Sequence, residues 1–127
     1  MSGITVLIVD DSSVMRKIVE RALRQAGLEL AKVVEAGSGL EGLDALRRER
    51  MNLIVSDINM PSMDGLEFLR QMQSQGLAQG APVVMITTES GEEHVREALA
   101  AGALGYIRKP FTSDQVRERV LPLLAPA

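Results

Sequence analysis

Leu53-Ile54-Val55-Ser56-Asp57-Ile58-Asn59-Met60-Pro61 is the segment that reveals the architecture of this 127-residue chain. Leu53 to Val55 is a short apolar run, partly β-branched, which suits a strand covered on both faces. The run stops at a carboxylate, Asp57. Pro61 then takes the chain out of the strand, because proline offers no N–H to a ladder and restricts the residue before it. Asp57 therefore falls where a buried strand gives way to a loop. In an open sheet of parallel strands, ligands bind at that C-terminal edge. A carboxylate there is a metal ligand, a nucleophile or a helix cap.

The same unit repeats to either side. Ile4 to Val9 is apolar apart from Thr5 and ends at Asp10-Asp11. Ser12 or Ser13 can cap the helix that follows. Val14, Ile18, Ala22 and Leu23 recur at helical spacing, and Gly27 stops the helix. Lys32 to Ala36 reads as a shorter, more polar strand at an edge. Ser38-Gly39-Leu40-Glu41 is a capping box, opening a helix through Leu43, Leu46 and Arg50. After the central strand, Asp64 caps a helix with Glu67 three residues on and Leu66, Leu69 and Met72 inward. Gly76 to Gly80 reads as a flexible connection. Pro82 to Thr87 is another buried strand, and Ser90-Gly91-Glu92-Glu93 is a second capping box before Val95, Ala98 and Leu99. Leu104 to Arg108 is the last strand. Thr112-Ser113-Asp114-Gln115 opens the last helix, with Val116, Val120 and Leu123 inward and Pro122 near its end. Five alternating βα units make an α/β fold, a doubly wound parallel sheet with helices on both faces.

Size and composition narrow the function classes. A chain of 127 residues with 46% hydrophobic residues forms one domain with an ordinary core. Aromatics are few (Phe68, Tyr106 and Phe111), so aliphatic side chains must fill that core. A net charge of −3 argues against a nucleic-acid or membrane surface. The absence of cysteine excludes thiol and disulfide chemistry. No apolar run is long enough for a membrane span, and Met1-Ser2-Gly3 leads straight into a strand without a signal peptide, so a cytoplasmic location is expected.

Polar residues cluster at strand ends. The first strand ends at Asp10-Asp11, the third at Asp57 and the fourth at Thr87-Thr88-Glu89, and Lys109-Pro110 follows the fifth. Parallel strands place all of them on one edge. If the first and third strands are neighbours, three carboxylates meet, and each pair at 4 Å repels by about 4 kcal/mol at an effective dielectric near 20. A divalent cation relieves this, and an oxygen-only set without His or Cys favours Mg²⁺. Taken singly, each feature has a plainer explanation. Asp-Asp before a helix serves as a cap, an Asp after a strand as a turn residue, and Lys-Pro as nothing in particular. Their conjunction, in order on four strand ends, is what those explanations do not account for.

Val9-Asp10-Asp11-Ser12, Asp57-Ile58-Asn59-Met60-Pro61 with Asp64-Gly65, Thr87 and Lys109-Pro110-Phe111 form a specific set, and on it the chain resembles a response-regulator receiver domain over residues 4–124, with features of the chemotaxis type. The resemblance implies strand order 2-1-3-4-5 in a flavodoxin-like three-layer sandwich. It implies that Asp57 accepts a phosphoryl group from a histidine kinase. Asp10 or Asp11, with Asp57 and the Asn59 main-chain carbonyl, would hold Mg²⁺. Thr87 and Lys109 would contact the phosphoryl oxygens, and Lys109-Pro110 would be cis. Thr87 and Tyr106 would act as the switch. A protein partner would read the face made by the helix from about 91, the last strand and the helix from about 113. Asn59, Thr88 and Glu89 would tune the phosphoryl lifetime. Asn59 with Glu89 resembles the chemotaxis branch, whereas Thr88 is bulkier than the family often carries there.

The chain ends soon after its fifth helix, with no DNA-binding helices following, so a stand-alone, monomeric switch that acts by protein contact is expected, without enzymatic action on other substrates. A receiver cut from a larger regulator, or a relay intermediate outside chemotaxis, are the alternatives. An aspartyl-phosphate phosphatase would want an aspartate where Asn59 stands. A nucleotide-binding flavodoxin relative would want a glycine-rich loop where Asp10-Asp11-Ser12-Ser13 stands.

Overall fold

Strand residues alternate between two apolar layers. Val6 and Ile8 of the first strand enter one cluster, Leu7 and Val9 the other. The computed structural model describes residues 3–58, 60, 63–87, 92–109 and 111–124. In chain order they form β1 (Ile4–Val9), α1 (Ser13–Gln25), β2 (Leu30–Ala36), α2 (Gly39–Arg48), β3 (Leu53–Asp57), α3 (Gly65–Ser74), β4 (Val83–Thr87), α4 (Glu92–Ala100), β5 (Gly105–Arg108) and α5 (Ser113–Leu124). The sheet is parallel throughout, in the order β2-β1-β3-β4-β5, as the resemblance implied.

Two helical layers follow from the alternation. Val19 and Leu23 of α1 and Val116 and Val120 of α5 cover one face. Leu43 and Leu46 of α2, Phe68, Leu69 and Met72 of α3, and Ala98 of α4 cover the other. β1, β3 and β4 are the central strands, and every residue of β3 and β4 is buried, which is why their sequences show no polar alternation.

Several local expectations need correction. Val14 and Ile18 lie on the solvent side of α1, 67% and 45% exposed, while Val19, Ala22 and Leu23 face the core. α1 carries two aliphatic stripes, and spacing alone does not say which one the sheet covers. Leu99 of α4 is likewise exposed, and Leu123 only partly buried. β2 begins at Leu30 and is the longest strand, at seven residues. α2 ends at Arg48, short of Arg50. At its start Ser38 Oγ accepts from Glu41 N–H, but the Glu41 carboxylate reaches the Gly37 N–H, one residue beyond a capping box. The reciprocal box does form at α5, between Thr112 and Gln115. Gly76 to Gly80 is a tight turn. Leu77 N–H donates to Met72 O, Ala81 N–H to Ala78 O, and Ala78 is buried. Pro122 sits within α5, which continues to Leu124. The Ser90-Gly91 cap, the Lys109-Pro110 bond and the side chains of Asn59, Thr88 and Glu89 lie outside the described residues.

Candidate functional site

The C-terminal edge of the sheet gathers the polar strand ends. Pairing of β1 with β3 aligns Val9 with Ser56, so Asp10 and Asp57 leave adjacent strands at the same level. Their carboxylates and that of Asp11 each offer an oxygen, all within 4.8 Å of one another. Asp10 and Asp57 are buried, whereas Asp11 is exposed. Lys109 extends over the pair from beyond β5, its Nζ 3.5 Å from Asp57 Oδ2 and 3.8 Å from Asp10 Oδ2. Its main-chain N–H donates to Thr87 O at 2.7 Å, which ties the lysine to the end of β4. Thr87 is buried at that end.

Asp10 is held by its own turn. Its N–H donates to Ala36 O, its Oδ1 accepts from Ser12 N–H at 2.9 Å, and Ser12 Oγ in turn accepts from Met15 N–H to cap α1. Asp10 Oδ2 is left buried without a hydrogen bond. Burial pushes the Asp10 carboxyl above its usual range; the Ser12 bond opposes this, and the Asp57 charge adds to it. A buried carboxylate oxygen without a donor signals a missing partner. Three carboxylates face one ammonium, so the fully ionised cluster keeps two excess negative charges (3 − 1 = 2).

These residues fit a divalent cation. All the donors are hard oxygens, as Mg²⁺ prefers, and ligands at about 2.1 Å stand up to about 4.2 Å apart across one such ion. The 4.8 Å envelope is close to that span. Asp10 Oδ2 supplies the oxygen that the protein itself leaves unmatched.

Asp57 is set by close packing as well as by β3. A methyl group built on Gly65 would lie 2.3 Å from Asp57 O and 2.7 Å from Ile58 Cα, so the start of α3 approaches the strand as only glycine allows. Gly65 N–H donates to Ile58 O at 2.8 Å, and Ser56 Oγ donates to Asp57 O at 3.0 Å. Residue types gave no hint of these contacts beyond the Asp64-Gly65 dipeptide. Arg16 was also missed. Its guanidinium donates to Asp10 O at 2.7 Å and to Glu35 Oε1 at 2.8 Å. The available signal was an arginine one turn into α1, opposite a polar residue near the end of β2.

Tyr106 lies on the edge strand β5, short of the polar rim. It pairs in register with Met85, two residues before Thr87 on β4, and packs against the apolar cluster that contains Met85, so it shares a sheet face with Thr87. The Arg119 guanidinium stands 5.2 Å from its ring centroid. Tyr106, Ile107, Arg108, Gln115, Glu118 and Arg119 line an open cleft of about 410 Å³.

A 2-1-3-4-5 parallel sheet with this acidic cluster and facing lysine at its C-terminal edge defines the receiver class. The response regulator receiver domain model matches residues 6–121, and the chain belongs to that family. Among its relatives is a chemotaxis protein CheY homologue from Campylobacter jejuni, 39% identical over 93% of this chain and 90% of that protein. The chemotaxis protein CheY4 of Vibrio cholerae has a similar structure, with a TM-score of 0.82 and 35% identity over 98% of this chain and 100% of that one. A CheY-like receiver domain protein from Methanospirillum hungatei superposes with a TM-score of 0.77 at 32% identity, over 92% of this chain and 90% of that one. Among the described residues, no helix is long and apolar enough to cross a membrane.

Proposed function

We propose that this protein is a response regulator of two-component signalling that stores its signal as a phosphoryl group on Asp57 and delivers it by binding another protein. One observation carries the reading: Asp10, Asp11 and Asp57 converge within 4.8 Å beneath the Lys109 ammonium. The phosphodonor is a phosphohistidine of a histidine kinase. The chemotaxis relatives support a cytoplasmic chemotaxis pathway.

In the transfer, an Asp57 carboxylate oxygen attacks phosphorus. The phosphorus–nitrogen bond breaks, and its electron pair returns to the donor imidazole. In a separate hydrolysis that ends the signal, water attacks the acyl phosphate. The phosphorus–oxygen bond to Asp57 breaks, releasing inorganic phosphate and restoring the carboxylate. Such transfers rest on positioning and charge neutralisation. Lys109 supplies a fixed positive charge within 4 Å of both buried carboxylates. Thr87 brings a hydroxyl to the same edge. Asp10, Asp11, Asp57 and the Asn59 carbonyl would hold Mg²⁺, which supplies further positive charge to the phosphoryl oxygens. The protein acts only on itself, so it is a switch and not an enzyme with a turned-over substrate.

A phosphoryl group adds about −1.5 to −2 charge and three strong acceptors. Thr87 then donates to one of them, and Tyr106 follows into the space vacated on the shared face. The signal emerges on α4, β5 and α5. Asn59, Thr88 and Glu89 set how readily water reaches the acyl phosphate.

Incubation with acetyl phosphate and Mg²⁺, read by intact mass, tests the reading. The wild type should gain the mass of one phosphoryl group and Asp57→Asn should not. An unmodified wild type, or an equal gain in Asp57→Asn, would refute it. A pull-down with and without beryllofluoride then reports the partner.

A further inference from the structure

Asp10 lies in a turn whose peptide planes decide where Asp11 points. The Asp10 carbonyl belongs to the peptide that leads into Asp11. Whatever holds that carbonyl therefore aims the exposed member of the acidic cluster. The group that holds it is Arg16, which donates from Nη1 at 2.7 Å. Arg16 is itself steadied from the neighbouring strand, because its Nε donates to Glu35 Oε1 at 2.8 Å. Lys17 Nζ takes the other oxygen, Glu35 Oε2, at 2.8 Å. Glu35 thus has both oxygens engaged and serves as a fixed post. The Arg16 side chain is only 17% exposed, unlike that of Lys17 at 68%.

We propose that Arg16 is a positioning residue for metal binding: held by Glu35, it locks the Asp10–Asp11 peptide so that both carboxylates converge with Asp57. The inference rests on the metal reading given above. The role needs the guanidinium fork, which bonds a carboxylate and a carbonyl at once; a lysine ammonium at the end of a flexible stem does not reproduce it. Groups that orient a ligating residue from behind are worth about 10- to 100-fold in metal affinity.

The sign of the effect separates positioning from plain electrostatics. Arg16 is a cation close to an anionic site. If charge alone mattered, its removal would tighten cation binding. Positioning requires the reverse. Calorimetric titration of the unphosphorylated protein with MgCl₂ reads the dissociation constant directly, with no phosphoryl chemistry involved. Arg16→Ala should weaken Mg²⁺ binding by about tenfold. Arg16→Lys preserves the charge and should still weaken it several-fold. Lys32→Ala, which removes a cation paired with Glu49 and outside this network, should remain within twofold of wild type. Unchanged or tighter binding in Arg16→Ala overturns the inference. If Arg16→Ala fails to fold by circular dichroism, Arg16→Lys decides by the same criterion. Absence of Mg²⁺ binding in the wild type overturns the metal reading and this inference together, whereas normal wild-type binding with an insensitive Arg16 overturns the inference alone.

Discussion

The two flanks of the candidate site are built differently. On the β1 side, Asp10 is fastened through its N–H, its Oδ1 and its carbonyl, and the last of these contacts is backed by Glu35 on the next strand. On the β5 side, Tyr106 is half-buried beside an open cleft, and its ring meets Arg119 at 5.2 Å. The side chain proposed to bind an ion is pinned to the backbone. The side chain proposed to move rests at the sheet edge, where a shift disturbs little packing. The difference matches the two proposed tasks, holding charge on one flank and changing shape on the other. A population shift on the loose flank needs only a few kcal/mol of differential interaction.

The contrast can be broken in four ways. The largest effect is expected at Gly65. A methyl group there meets the Asp57 main-chain carbonyl at 2.3 Å, and backbone cannot step aside as a flexible side chain can. Gly65→Ala should lower stability by about 3 kcal/mol, as overpacking of a tight contact does. Urea unfolding measures it, and a loss below about 1 kcal/mol would show that the centre is softer than described. Next comes Lys109→Ala, which removes the cation facing Asp10 and Asp57. Phosphorylation by acetyl phosphate should slow by about 100-fold. A normal rate would remove Lys109 from the chemistry.

Tyr106→Ala tests the loose flank. Phosphorylation should stay within twofold of wild type while affinity for the protein partner drops about tenfold, the scale of an aromatic anchor. Equal partner affinity in mutant and wild type would defeat the switch assignment. The smallest effect belongs to Glu35. Hydrogen bonds from Lys17 and then Arg16 hold its carboxyl below the ordinary 4.5. A carboxyl depressed in the folded state adds stability above its unfolded value and loses it as pH falls through its folded one. Glu35→Gln should therefore cost about 0.5 kcal/mol at neutral pH, given its partial exposure. The gap to wild type should close below pH 4.5 in thermal melts, and a pH-independent gap would rule out this ion pair as its source.

Much of this was legible in the residues. Apolar runs ending in Asp10-Asp11, Asp57 and Thr87 mark the three central strands and the edge where polar residues collect, because buried strands leave polar residues only at their ends. What was not legible depended on distance or orientation. The Arg16–Glu35 pair spans 19 positions and joins two elements, so no local pattern records it. Of Val14, Ile18, Ala22 and Leu23, only the last two face the core, because the covered stripe runs back through Val19 and leaves Val14 and Ile18 to solvent. The start of β2 was read two residues late, because Leu30 and Ala31 stand between the polar Glu29 and Lys32 and so form no continuous apolar run.

Gly27, Gly76, Gly80 and Gly102 follow α1, α3 and α4 with positive φ, in the turns that bring helices back to the N-terminal rim of the sheet. None of the acidic cluster lies there. The acidic cluster and the glycine-rich αβ turns thus occupy opposite rims of the sheet. For protein engineering, the exposed Gln79-Gly80 tip of the glycine-rich rim is the place to insert a reporter or a second binding module, with the acidic cluster left untouched. For evolution, that rim is where loop lengths can drift while the acidic cluster is preserved.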